Sequence, residues 1–254
     1  SIGVSAKEMQ ILEISSFAAR IASTIDGSRQ LPLNVEIKEK DSYHGLLMVP
    51  TWNLYGCETY TYDAPQEGMV LDENNVWRMD YEDMEKKIVE QQIHTAILCN
   101  PHNPTGRAWE RWEIEKAMEL FKKHDVYVIS DEIWSDLYLV GNHHIPTQSI
   151  SEDAKMRTIA FYSPSKTFNL AGLIGSYHIV YNKRLRDRLR KEGSLCHYNS
   201  MNVLSMYALI GAYEPEGVEW LEELREVLTK NVDYACDFIA KNWKGVKVSK
   251  PKAT

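Results

Sequence analysis

The sequence is poor in cysteine, has no long apolar run, and carries no surplus of positive charge. Its four cysteines, Cys57, Cys99, Cys196 and Cys236, are scattered, and no two stand in a CxxC spacing. That spacing argues against a zinc site and against a disulfide framework, and it fits a reducing, cytoplasmic compartment. No apolar stretch approaches the roughly 20 residues that a helix needs to cross a bilayer. The N-terminus lacks a basic segment followed by an apolar core, so no signal peptide is expected. Lys and Arg number 29 against 36 Asp and Glu, a net charge of −7 over 254 residues. Phosphate backbones attract clustered cations, so this balance argues against nucleic acid as a partner. What remains is a chain with 44% apolar and 26% charged residues. That is an ordinary globular composition, long enough for one large domain and part of a second.

Short apolar runs alternate with helical patterns along the chain. Residues 4–23 carry an apolar stripe at helical spacing, with Met9, Leu12, Phe17 and Ile21 among its members. Strands are predicted at residues 45–50 (GLLMVP), 95–99 (TAILC), 126–130 (VYVIS), 158–162 (TIAFY) and 176–180. Helices are predicted at 81–91, 109–124, 183–192, 200–213 and 218–242. This order predicts an α/β fold: a mostly parallel sheet with helices on both faces. Ligands of such sheets bind outside the carboxyl ends of the strands. A further strand is predicted at 246–249, so the chain is expected to stop inside an element, with more of a longer parent to follow.

Three polar motifs follow three of these strands. After TAILC comes Asn100-Pro101-His102-Asn103-Pro104-Thr105-Gly106. Proline fixes φ and restricts the residue before it, so the two Asn-Pro steps make a rigid turn. It is either a strand-to-helix turn and nothing more, or a turn that aims the Asn103 amide at a ligand. At the end of VYVIS stands Ser130-Asp131-Glu132-Ile133-Trp134. A carboxylate at the end of a buried strand is costly unless paired. Asp131 is therefore either a helix N-cap or the anionic partner of a protonated ring nitrogen. After TIAFY comes Ser163-Pro164-Ser165-Lys166-Thr167-Phe168-Asn169. Apolar segments flank Lys166, which predicts a partly desolvated amine with a lowered pKa, nucleophilic toward a carbonyl. The hydroxyls of Ser163, Ser165 and Thr167 suit phosphate oxygens. Ser-x-Ser-Lys alone also occurs in Ser-Lys hydrolases, but a hydrolase leaves Asn103 and Asp131 unexplained.

In this order, with 28 residues from Asn103 to Asp131 and 35 from Asp131 to Lys166, the set resembles the fold-type I pyridoxal-5′-phosphate (PLP) enzymes, the aspartate-aminotransferase-like group. The resemblance implies PLP as cofactor. It makes Lys166 the catalytic residue that forms the Schiff base, and Asp131 the partner of the pyridine nitrogen. Asn103 would bond the ring's 3′ oxygen, and Ser163 and Ser165 the phosphate. Trp52, two residues past Pro50, falls where the family stacks an aromatic on the ring; Tyr55 is the fallback. Ser1 to Ser5 fall where a phosphate-cradling turn is expected.

Two departures refine the resemblance. Trp134 stands where many aminotransferases have Tyr, and Ile174 where many have a phosphate-binding Arg. With the run KTFNLAGLIGSY over residues 166–177, His144-Ile145-Pro146 and His197-Tyr198-Asn199-Ser200, they resemble the cystathionine β-lyase (C–S lyase) branch. The implied activity is cleavage of cystathionine or cysteine-type substrates to pyruvate, ammonia and a thiol. An aminotransferase of the same fold is the alternative, and a non-catalytic PLP-fold regulatory or binding module a third reading. The implied partners are a small amino-acid substrate and a second copy of the chain in a homodimer. The implied layout is a PLP-binding large domain over residues 1–242, with the likeness fading before Gly45, and the start of a small C-terminal domain over 243–254. His102, His143 and His144 have no assigned role and are read as surface or loop residues.

Overall fold

Strands form where β-branched and aliphatic residues run for four or five positions between turn residues. A computed structural model describes residues 46–49, 69–74, 76–196 and 201–254 of the chain. Its main sheet has five strands: β1 (Leu46–Val49), β4 (Thr95–Cys99), β5 (Tyr127–Asp131), β6 (Thr158–Tyr162) and β7 (Tyr177–Ile179), hydrogen-bonded in the order β1-β4-β5-β6-β7. The first four are parallel, and β7 runs antiparallel at the edge. A separate antiparallel pair, β2 (Met69–Leu71) and β3 (Trp77–Met79), lies outside it.

The parallel strands are covered on both faces, which is why they read as unbroken apolar runs rather than alternating ones. On one face Ala96, Leu98 and Val128 meet Met84 and Ile88 of α1 (Tyr81–Glu90) and Ile114, Ala117, Met118 and Phe121 of α2 (Arg111–Lys123). On the other, Ile97, Ile129 and Ile159 meet Val180 and the Leu185 and Leu189 side chains of α5 (Lys183–Cys196). The side-chain period of two sorts neighbouring residues of one strand into two separate cores. Short helices α3 (Glu152–Arg157) and α4 (Pro164–Thr167) flank β6, and α6 (Val203–Ala212) and α7 (Pro215–Asn242) follow α5.

The predicted α/β architecture is therefore present. Helix α7 begins earlier than predicted because Pro215 sits in its first turn, where a missing N–H costs nothing. The predicted strand at 246–249 is not formed. Among the described residues its alternating valines have no strand beside them, and Val246 and Val248 remain 47% and 40% exposed. The following residues instead bind back onto the Gly106 turn and Leu139. The Lys252 and Ala253 N–H groups donate to the Gly106 carbonyl at 2.7 and 3.0 Å, and Leu139 N–H donates to the Lys252 carbonyl at 2.8 Å. The readings made for residues 4–23, Ser1 to Ser5, Trp52, Tyr55 and 197–200 lie outside the described residues.

Gly106 shows what that docking requires. Its φ is +68°, a left-handed value that side chains disfavour, and a Cβ there would collide with Pro251. Gly106→Ala is expected to lower stability by about 1–3 kcal/mol, read as a reduced urea midpoint with unchanged slope. An unchanged midpoint would show that the 251–254 segment does not hold this position in solution.

Candidate active site at the carboxyl ends of the strands

Parallel pairing places Cys99, Asp131 and Phe161 abreast on β4, β5 and β6. Each motif leaves the sheet within a few residues of that line. Asn103, Asp131 and Lys166, far apart in sequence, thus share one edge of the sheet, as the rule for open α/β sheets demands.

Asp131 is the last residue of β5, on the same face as Ile129, and is half-buried. Burial pushes its carboxyl above the usual carboxylate range. The Ile133 N–H, 3.2 Å away, acts against that shift, adjacent Glu132 adds to it, and the Lys166 ammonium partly offsets it. Lys166 is on α4, and its Nζ lies 5.6 Å from the centroid of the Trp134 ring. The ring thus presents its negative face toward the ammonium. The desolvation expected for Lys166 from its apolar neighbours is not present: its side chain is exposed, because the short helix turns it outward from the strand end.

The serines divide their work. Ser163 is buried and caps α4: its Oγ accepts the Ser165 N–H at 3.1 Å and lies 2.5 Å from the Gly175 carbonyl and 2.9 Å from Ser165 Oγ. With one hydroxyl proton, Ser163 already serves the turn itself. Ser165 is half-buried and stands next to Lys166. Thr167 faces the other way, its hydroxyl donating to Asp136 Oδ2 at 3.1 Å, where the Tyr213 phenol also donates at 3.1 Å. Asp136 thereby ties the lysine turn to the segment after α6. Ile174 is 74% exposed.

In the first motif, Asn103 is half-buried, and its backbone N–H is directed at the Cys99 sulfur. Both Asn-Pro bonds, Asn100-Pro101 and Asn103-Pro104, are cis. His102 is not a surface residue, contrary to expectation. It is fully buried against Trp109, with Nδ1 2.7 Å from Thr105 Oγ1. The turn folds the side chain inward under the strand end. His144 is likewise buried, its Nε2 2.7 Å from Glu132 Oε2, whereas His143 is exposed as read. Glu132 was given no role from the sequence, yet it is fully buried. The signal that could have found it is the strand period: the residue beside Asp131 must point to the opposite face.

The chain matches the family description "Aminotransferase class I and II" over residues 46–254. The chain belongs to the aminotransferase class I and II family. It is 37% identical to cystathionine beta-lyase PatB of Bacillus subtilis over 73% of this chain and 48% of that protein. To protein MalY of Escherichia coli it is 35% identical, over 63% of this chain and 40% of the relative. The chain thus spans about half, or less, of the length of these curated relatives. The crystal structure of the PLP-bound C–S lyase from Staphylococcus hominis superposes with a TM-score of 0.75 at 28% identity, covering 96% of this chain and 57% of that one. Among the described residues no helix is long and apolar enough to cross a membrane.

The buried His102 carries a pH signature. Burial pushes its imidazole from 6.5 down to about 4. The unfolded chain therefore takes up a proton below about pH 6.5 that the folded chain refuses until about pH 4. This contribution is complete above pH 6.5 and is lost as pH falls toward 4, at up to about 1.4 kcal/mol per pH unit. Unfolding free energy measured from pH 7 to 5.5 should fall in the native chain, and the fall should flatten in His102→Gln.

Proposed function

We propose that this chain is the PLP-binding part of a C–S β-lyase that releases pyruvate, ammonia and a thiol from cystathionine or a cysteine-type substrate. One observation carries the reading: Asp131 closes β5, the turn that carries Lys166 follows the parallel neighbour β6, and the lysine's positive charge acts on the buried carboxylate. A carboxylate whose charge is disfavoured by burial gains from a cation, and a pyridinium N–H⁺ is such a cation. The donor set therefore fits PLP.

Bound there, PLP supplies an electron sink for a carbanion at the substrate Cα. Lys166 would hold the cofactor through its amine, and the same amine would serve as the base for the substrate Cα proton. Asp131 keeps the ring nitrogen protonated. Asn103 would donate its amide to the ring oxygen, and Ser165 would offer its hydroxyl to the phosphate, with Ser163 shaping that turn. Trp134 lies beside the amine and limits its range. Trp52, outside the described residues, is the aromatic that the family resemblance assigns to the ring face. The protein works as a homodimer in the cytoplasm. Exposed Leu204, Tyr207 and Ile210 on α6 support self-association.

Likeness to PatB favours the lyase over an aminotransferase, which shares the first proton transfer and differs in where the proton returns. Adding PLP to the native protein should give a visible absorbance band, and borohydride should fix the cofactor to residue 166. Lys166→Ala should abolish both; a normal band and normal turnover in that variant would remove the proposal. Asp131→Ala should weaken PLP binding on the order of 100-fold, the effect of losing a buried charged hydrogen bond of about 2–3 kcal/mol. Pyruvate release from cystathionine, compared with amino transfer to 2-oxoglutarate, separates the two reactions.

A further inference from the structure

The three strand ends that lead into the motifs are joined on the face opposite Asp131 by one buried polar cluster. Its centre is Glu132, fully buried, whose two oxygens accept four hydrogen bonds. Oε1 accepts from Ser130 Oγ at 2.8 Å and from the Thr147 backbone N–H at 3.0 Å. Oε2 accepts from Tyr162 Oη at 2.7 Å and from His144 Nε2 at 2.7 Å. The cluster extends to β4: Asn100 Nδ2 donates to Thr147 Oγ1 at 3.2 Å and to the Ile145 carbonyl at 2.9 Å, and Thr147 Oγ1 lies 2.9 Å from Ser130 Oγ. The donors therefore run in one direction, from Asn100 through Thr147 and Ser130 to the carboxylate, and each bond polarises the next. Burial and the Glu132 charge push the Tyr162 phenol up, so it remains a donor.

The members of this cluster hold particular places in the sequence. Asn100 opens the turn that carries Asn103. Ser130 and Glu132 flank Asp131. Tyr162 precedes the turn that carries Lys166. The backbone repeats the linkage, with Asn100 N–H donating to the Asp131 carbonyl and Glu132 N–H to the Phe161 carbonyl, both at 2.9 Å. An ionised carboxylate is the acceptor-only group that can take four donors without a conflict. Removing it leaves buried donors unpaired at all three strand ends at once. We infer that Glu132, with Tyr162 and His144, is a positioning group that sets the spacing of Asn103, Asp131 and Lys166 around the cofactor ring without touching the ring. This rests on the PLP reading above and adds residues that reading does not use.

The test compares the native protein with Glu132→Gln, Tyr162→Phe and a control core change, Ile114→Val, or Ile114→Ala where a larger loss is needed to match. Ile114 is a fully buried residue of α2, in the apolar core that also holds Ala96, Leu98 and Val128, and it takes no part in the Glu132 hydrogen bonds. Gln offers one oxygen where two are used, so its amide meets donors from Tyr162 and His144. Tyr162→Phe deletes a single donor and keeps the ring, and it serves if Glu132→Gln does not fold. Three quantities are read in each: thermal midpoint without cofactor, PLP dissociation constant, and the pH midpoint of the bound cofactor's visible band. The Glu132 and Tyr162 variants should weaken PLP binding on the order of tenfold, as supporting-group changes do, and move the band's pH midpoint. The control, matched for thermal loss, should do neither. If the control shifts cofactor affinity and pH midpoint as far as the cluster variants do, the cluster merely stabilises the fold and the inference is overturned. Native affinity and an unmoved band in both cluster variants overturn it as well. A native protein that never develops the band refutes the PLP reading itself, a result distinct from either of these.

Discussion

A carboxylate at the end of a buried strand, in need of a positive partner, is the constraint around which this site is organised. Asp131 closes β5 where burial disfavours its charge, and the Lys166 ammonium on the next motif relieves only part of that cost. The parallel register makes the meeting possible: three strands end on one line, so turns 28 and 35 residues apart in the sequence emerge side by side. An antiparallel neighbour in place of β6 would carry the lysine turn to the opposite edge.

The same strand ends have two faces with different duties. The Asp131 face looks toward the lysine turn. The Glu132 face is closed, and its four accepted hydrogen bonds leave the carboxylate saturated. The lysine turn is held from a third direction, by Ser163 capping α4 and by Asp136 gripping Thr167. Residues 252–253 meanwhile cross the Gly106 carbonyl, so the first motif is fixed on the side away from the sheet. The site is thus framed by backbone and buried polar groups, and the groups read as reactive carry little of its support.

Membership in the aminotransferase class I and II family, with likeness to PatB and MalY, agrees with this arrangement. Trp134 beside the Lys166 amine and an exposed Ile174 mark where the chain departs from the aminotransferases its motifs first resemble.

Strand runs, helix periods and the order of the three motifs are local properties, and local chemistry was enough to read them: Thr95–Cys99 and Thr158–Tyr162 fall on the predicted residues. That Asn103, Asp131 and Lys166 lie close to the carboxyl ends of the strands was legible for the same reason, since each stands beside turn residues after an apolar run. Tertiary structure alone decided which neighbours those residues would meet. A histidine in a polar loop reads as solvated, yet the folded turns bury His102 and His144. Alternating valines at 246–249 read as a strand, but a strand exists only beside another strand. Glu132 looks like an ordinary charge next to Asp131, and only the sheet's two covered faces, together with the segment from His144 to Thr147, make it the acceptor at which three strand ends converge. Burial and pairing are properties of contacts between distant segments, and a single linear string does not contain them.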